Sequence, residues 1–217
     1  MRSGTSTLSS AIVLLACTVV LAGCAAAVNA PDAKAPDAKA PASQAASHTV
    51  AVPSPTYFDP IAVVPSPTVP SWFDVQMTDV TTGKQFKISD FSGKVILVDT
   101  MATWRPTCQG EMSQVQMLPT LLGSSSSDLV RISLDVDPNE DATILKKFAA
   151  TNKFDWYIAV APIEVGRFLE TNYDQQYLNP PLQPMLFIDK IGGVYGLPFG
   201  IKSAESIGKT LASYLAQ

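Results

Sequence analysis

Few residues in this 217-residue chain can carry reactive chemistry: three cysteines, Cys17, Cys24 and Cys108, and one histidine, His48. They are too few for a closed four-ligand zinc site of Cys and His, or for a disulfide-stapled scaffold. Cys108 alone falls among strong apolar patterns. It follows Val95-Ile96-Leu97-Val98, a β-branched run suited to a strand buried on both faces, and it opens residues 108–122, where Met112, Val115 and Leu122 recur at helical spacing. A thiol at a helix start is drawn towards the thiolate by unpaired N–H groups, and Arg105 adds its charge in the same sense. Such a thiolate can pass to a sulfenic acid or to a mixed disulfide with a partner. The opposing reading of Cys108 is a small, buried, inert side chain. Arg105 likewise has two readings: a charged fork that holds a carboxylate or other anion, or a solvated cation.

The elements that must position these residues alternate in type. Residues 73–77 and 85–88 flank the turn signal Thr81-Thr82-Gly83-Lys84 and predict an opening hairpin. Strands are expected at 95–98, 129–134 and 156–160. A closing hairpin is expected from 185–188 and 194–197, turning at Gly192-Gly193. Helices are expected at 108–122, 141–150, 163–171 and 206–215; Ile144, Leu145 and Phe148 form the stripe of the second, and acidic and Asn residues before it are cap candidates. The fold class is therefore α/β, with a mixed sheet covered by helices on both sides and an N-terminal hairpin. With 47% hydrophobic residues the chain can fill one core, and a formal net charge of -4 excludes the basic footprint of a nucleic-acid binder.

Residues 95–108, ending Asp99-Thr100-Met101-Ala102-Thr103-Trp104-Arg105-Pro106-Thr107-Cys108, resemble the active-site segment of thioredoxin-fold proteins. The resemblance is strongest to the membrane-tethered disulfide reductases of the TlpA type and related redoxins, in which a strand bearing a buried acid runs into Trp-Cys-x-x-Cys at a helix start. Gln183-Pro184-Met185-Leu186-Phe187-Ile188-Asp189 looks like the family's cis-proline loop and following strand. The resemblance covers roughly residues 72–217 and implies a three-layer thioredoxin-like domain at 71–217. It implies that Asp99 is the buried acid beneath the second cysteine, that Cys108 is that second, resolving cysteine, and that Arg105 stands where the nucleophilic first cysteine belongs. Burial and the Asp99 carboxylate would raise the thiol pKa, against the helix start and Arg105. It also implies a substrate groove at Trp104, Pro106, Gln183 and Pro184, with Tyr177 in its wall. A cis peptide before Pro184 would leave the backbone of Gln183 free to pair with an extended partner.

The departure from the family pattern is decisive for turnover: a dithiol cycle needs an attacking thiol and a neighbour that releases the mixed disulfide. Three functions remain open: single-cysteine exchange or peroxide chemistry with a thiol-bearing protein or small thiol as partner, peptide recognition without redox turnover, and copper handling. The last arises because residues 131–148 also resemble Sco-type copper-delivering redoxins, and Cys108 and Met112 share a helical face that could offer soft ligands to Cu(I). Those proteins use two cysteines and a histidine, which this domain lacks. Residues 135–140 begin like a calcium loop, but glycine is missing at the sixth position and Lys146 replaces the twelfth-position glutamate, so that match fails. No metal or other cofactor is expected.

The N-terminal third reads as export and spacing. Arg2 precedes an apolar stretch at 11–21, too short for a membrane span, and Leu21-Ala22-Gly23-Cys24 resembles a bacterial lipobox. That implies a signal peptide at 1–23, lipidation of Cys24 and an extracytoplasmic protein anchored to a bacterial membrane. A lipidated Cys24 and a discarded Cys17 leave Cys108 without any thiol partner in its own chain. Residues 24–70 hold nine of the 17 prolines and the repeat Ala-Pro-Asp-Ala-Lys, a composition expected to form neither sheet nor continuous helix but a tether. His48 lies in this tether, which removes it from any site chemistry.

Overall fold

The computed structural model describes residues 60–64 and 69–217. The segments read as signal peptide and tether lie outside the described residues apart from residues 60–64, 69 and 70, and so do Cys24 and His48. A six-stranded mixed sheet has the order β1-β8-β7-β4-β5-β6, from β1 (Ile61–Val64), β4 (Val95–Met101), β5 (Leu129–Asp135), β6 (Tyr157–Val160), β7 (Met185–Ile188) and β8 (Val194–Gly196). A separate short hairpin pairs β2 (Met77–Thr78) with β3 (Gln85–Phe86) through the Gly83 turn, where φ is +75°. Parallel pairs β4–β5 and β5–β6 take their crossovers through α1 (Pro106–Leu122) and α2 (Ala142–Asn152). β4, β7 and β8 pair antiparallel in turn. The remaining helices are α3 (Ile163–Asn172) and α4 (Ala204–Leu215).

Every residue of β4 is buried, as its continuous apolar run requires of a central strand covered on both faces. Its side chains alternate between two cores. Val95, Leu97 and Met101 face α1 and α4 together with Met112, Val115, Leu118 and Ile207. Ile96 and Val98 face the opposite layer, with Trp72, Ile132, Val165 and Leu169. Asp141 caps α2, accepting from the N–H groups of Thr143 and Ile144 at 2.8 and 2.9 Å, as the acidic residues there predicted. The β7–β8 turn closes on Asp189, whose Oδ1 accepts from Ile191 and Gly193 N–H groups. A Cβ on Gly193 would lie 2.7 Å from Asp189 Oδ2, so a larger residue there would have to push the Asp189 carboxylate out of the turn.

Two expectations change. Residues 61–64, read as part of a spacer unable to join a sheet, form a strand antiparallel to β8, with Ile61 opposite Gly196 and Val64 opposite Val194. The segment Ile61-Ala62-Val63-Val64 is a β-branched run between Pro60 and Pro65, long enough to pair at a sheet edge, where a flanking proline is tolerated. Phe73 sits in a short 3-10 turn (Ser71–Asp74) that packs Trp72 and Phe73 edge to face, so the opening hairpin begins only at Met77.

Candidate functional site

Helix α1 begins at the end of β4. The strand ends at Met101, the chain turns through Ala102-Thr103-Trp104, and Arg105 takes the N-cap with Pro106 at the first helical position, where its missing N–H costs nothing. Cys108 falls in the first turn, its N–H donating to the Arg105 carbonyl at 3.1 Å. Its side chain is only 2% exposed, and the thiol donates to the Pro180 carbonyl at 3.6 Å. The opposed influences on this thiol are thereby resolved: burial pushes its pKa up, and the charges of Asp99 and Glu111 add to the rise. The helix start does not win.

Arg105 occupies the outer position. Its guanidinium carbon lies over the Trp104 ring, 3.7 Å from the centroid, and no ion pair ties it down among the described residues. Trp104 is 56% exposed and donates its indole N–H to Asp137 Oδ2 at 2.6 Å. Glu140 holds the loop from below, accepting from Thr103 N–H at 2.7 Å and from the Thr103 hydroxyl. Trp104, Arg105 and the exposed Pro106 therefore form a rim above the covered thiol.

Asp99 is buried on β4, facing Ser133 across the parallel pair, and accepts from the Ser133 hydroxyl at 2.8 Å. Trp156 donates its indole N–H to the same hydroxyl at 2.9 Å. Burial pushes the Asp99 carboxyl up to about 7 despite Ser133 and the charge of Lys202. Sequence reasoning missed the next layer. Glu111, one α-helical turn beyond Cys108, is buried and meets Lys202 Nζ at 2.7 Å. Lys202, 2% exposed, also donates to the carbonyls of Gln183, Gly200 and Pro198. Burial raises Glu111 to about 8 against the pull of Lys202. Glu111 had a signal in the sequence, a carboxylate beside Met112 on an apolar stripe. Lys202 had none, since most of its partners are backbone carbonyls of turns.

The groove differs from its expected form. Among the described residues every peptide bond is trans, including the one before Pro184. Gln183 makes the chain reversal instead, in the left-handed region at φ 51°, ψ 58°. Its N–H donates to Pro180 O at 2.9 Å and its carbonyl accepts from Lys202 at 2.7 Å. The backbone of Gln183 is thus already spent within the fold and is not free for an added strand. Its side chain donates to the Thr107 carbonyl at 3.0 Å, tying the Pro184 loop to α1. Tyr177 does not wall an open groove: its ring is buried against Tyr173 and Phe199, burial raises its hydroxyl to about 12, and its carbonyl accepts from Thr100 Oγ1 at 2.5 Å. Pro184 is buried as well, and its carbonyl accepts from the Thr100 N–H. The structure therefore brings Asp99, Arg105, Trp104, Pro106, Gln183 and Pro184 to the start of α1 near Cys108, with only Trp104 and Pro106 exposed, and leaves Tyr177 in the core on the other face of the sheet. Met112 packs beside Cys108 in the core, and no group of three or more His, Cys, Asp or Glu among the described residues is arranged to hold a metal.

This arrangement of strands and helices recurs in solved structures. A thiol:disulfide interchange protein of the thioredoxin family from Chlorobium tepidum matches with TM-score 0.53 and 22% identity over 65% of this chain and 92% of that one. A putative protein disulfide isomerase from Bacteroides thetaiotaomicron matches with TM-score 0.55 and 18% identity over 75% and 96%. BsSco, a member of the Sco family of cytochrome c oxidase assembly proteins, matches with TM-score 0.52 and 19% identity over 75% and 96%. These likenesses establish the thioredoxin-like fold. The Redoxin family model matches residues 30–174, two thirds of the sequence and the whole span from the hairpin through α3, and with that match the chain belongs to the redoxin family.

Proposed function

We propose that this redoxin is a lipid-anchored, extracytoplasmic protein of the thiol-disulfide oxidoreductase type in which redox chemistry is confined to one thiol. The observation that carries the reading is the pairing of Arg105 at the N-cap of α1 with Cys108 in its first turn: the scaffold of a two-thiol site holds a cation where the attacking sulfur belongs. The reaction this leaves is exchange. The Cys108 thiolate attacks a partner disulfide, forming a mixed disulfide and releasing the other sulfur as a thiolate. An external thiol then cleaves the mixed disulfide, restoring Cys108. One disulfide is consumed and one formed, so no oxidant is required. The proton leaves the Cys108 thiol for solvent before attack, and the segment Pro180–Leu182 must move off the sulfur to admit a partner. The lipobox at Leu21-Ala22-Gly23-Cys24 supports the anchor, and intact-protein mass spectrometry of membrane-derived material tests it through the mass of a diacylglyceryl group on Cys24.

A second reading is favoured by the 2% exposure and raised pKa of Cys108: the thiol is a packing residue, and the Trp104–Arg105 rim recognises a partner without turnover. Iodoacetamide labelling of the native chain separates the two. Under the exchange reading Cys108 labels in the folded state and captures a glutathione adduct from oxidised glutathione. Labelling only after unfolding removes the exchange reading and leaves recognition.

A further inference from the structure

Residues 179–183, which cover the thiol, are held differently from the chain on either side of them. Both flanks are pinned to one buried residue of β4: Thr100 donates its hydroxyl to the Tyr177 carbonyl at 2.5 Å and its N–H to the Pro184 carbonyl at 3.2 Å. Between these pins the chain bonds largely to itself, the Leu182 N–H to the Asn179 carbonyl at 2.9 Å and the Gln183 N–H to the Pro180 carbonyl at 2.9 Å. Pro180 and Pro181 fix their own φ angles and bring no N–H that could reach the body of the domain. The segment is therefore a stiff piece between two fixed points.

Its polar fastenings to the body are releasable. The Pro180 carbonyl takes the Cys108 thiol at 3.6 Å, a long contact, and the Leu182 carbonyl takes the Gly200 N–H at 2.8 Å. Gln183 gives its carbonyl to Lys202 and its side-chain amide to the Thr107 carbonyl at 3.0 Å. Breaking these strands no charge, because Lys202 keeps Glu111 and the carbonyls of Pro198 and Gly200 after Gln183 leaves. Gln183 also holds a left-handed conformation, φ 51°, without being glycine, a cost that the closed arrangement carries and an open one sheds.

We propose that residues 179–183 are a lid that swings off Cys108 in a local opening of the folded chain, with the Gln183 side chain as its latch on Thr107. The latch bonds to the residue next to the thiol, so its release and the uncovering of the sulfur are one event. The lid regulates the exchange reaction proposed above and rests on that reading for its use, while the opening itself is a property of the fold. Any reagent then meets the thiol at its intrinsic rate multiplied by the open fraction.

Iodoacetamide labelling of the full chain, followed on the Cys108 peptide by mass spectrometry, reads that fraction. The proposal expects the native chain to label more slowly than the urea-unfolded chain by about tenfold or more, at a rate that stays flat across urea concentrations below the unfolding transition, since a local opening exposes little surface. Gln183→Asn keeps a residue that accepts the left-handed region, but its amide is one carbon too short for Thr107; it should label about fivefold faster. Ile158→Val, buried in the edge strand β6, should lower the urea midpoint and leave the labelling rate as it was. A rate that climbs with urea from the outset, no acceleration in Gln183→Asn, or acceleration in Ile158→Val would each overturn the lid. Oxidised glutathione separates the lid from exchange: flat, latch-dependent iodoacetamide labelling with no glutathione adduct keeps the lid and removes exchange, whereas adduct formation at one rate in the unaltered chain and in Gln183→Asn keeps exchange and removes the lid.

Discussion

Lys202 and Glu111 meet at 2.7 Å in the interior, beneath the only thiol among the described residues, and the same ammonium group holds three backbone carbonyls around the Pro184 loop. One side chain thereby joins α1 to the turns at 183, 198 and 200.

Removing that side chain leaves Glu111 and three carbonyls buried without their donor. Lys202→Met should destabilise the domain by about 3–5 kcal/mol, the usual cost of breaking a buried pair from one side. Lys202→Met combined with Glu111→Leu should recover part of the loss, because the orphaned carboxyl goes with it. Urea unfolding of the two variants at one pH reads the difference; a double variant no more stable than the single would contradict it.

Stability should fall as pH rises through neutrality. Asp99 and Glu111 have folded-state values raised to about 7 and 8, so between about pH 4 and those values the folded state holds protons the unfolded chain has lost. Each such group contributes stability in full below its unfolded value. It loses about 1.4 kcal/mol per pH unit on the way up. Asp99→Asn should flatten the profile between pH 5 and 7, measured by denaturant midpoints across that range.

Restoring the missing sulfur should restore the dithiol step. In Arg105→Cys two thiols would stand three residues apart at the start of α1, the spacing of the family's motif. The variant is expected to form an intrachain disulfide and to catalyse insulin reduction, with the unaltered chain inactive in the same assay. An oxidised variant without activity would place the deficit in the covered groove, where Pro180 and the Gln183 reversal stand.

Glu140 fastens the Trp104 loop and raises the pKa of Asp135 by its charge. Glu140→Ala should cost about 1–2 kcal/mol, through the unpaired Thr103 N–H and hydroxyl. The Asp135 value should move down towards that of an ordinary carboxylate, which carbon-detected NMR titration follows directly.

Much of this architecture was legible in periodicity. β4, β7, α1 and α3 follow from unbroken or helically spaced apolar runs, and the Trp104-to-Cys108 segment marked the start of α1 as the candidate site. Other features depend on tertiary neighbours. β1 exists because β8 offers it an edge, and a proline-rich composition hid it. The reversal at Gln183 replaces the expected cis bond because the Lys202 ammonium and Pro180 carbonyl stabilise a left-handed residue there. Lys202 itself, two residues before α4 in a polar turn, carries no pattern that distinguishes it from a surface lysine until the fold closes over it.

The pairing of β1 with β8 also bears on how copies of this protein coexist at high density. A bare strand edge is a template for another chain, and here neither side of the sheet offers a long one. On one side stands a four-residue strand of irregular register between Pro60 and Pro65. On the other, Val80 donates its N–H to the Ile158 carbonyl at 2.8 Å, and the Ile158 N–H reaches Asp79 Oδ1 at 3.3 Å. Molecules crowded together can therefore collide repeatedly without presenting a long bare strand edge on which sheet-to-sheet aggregation could start.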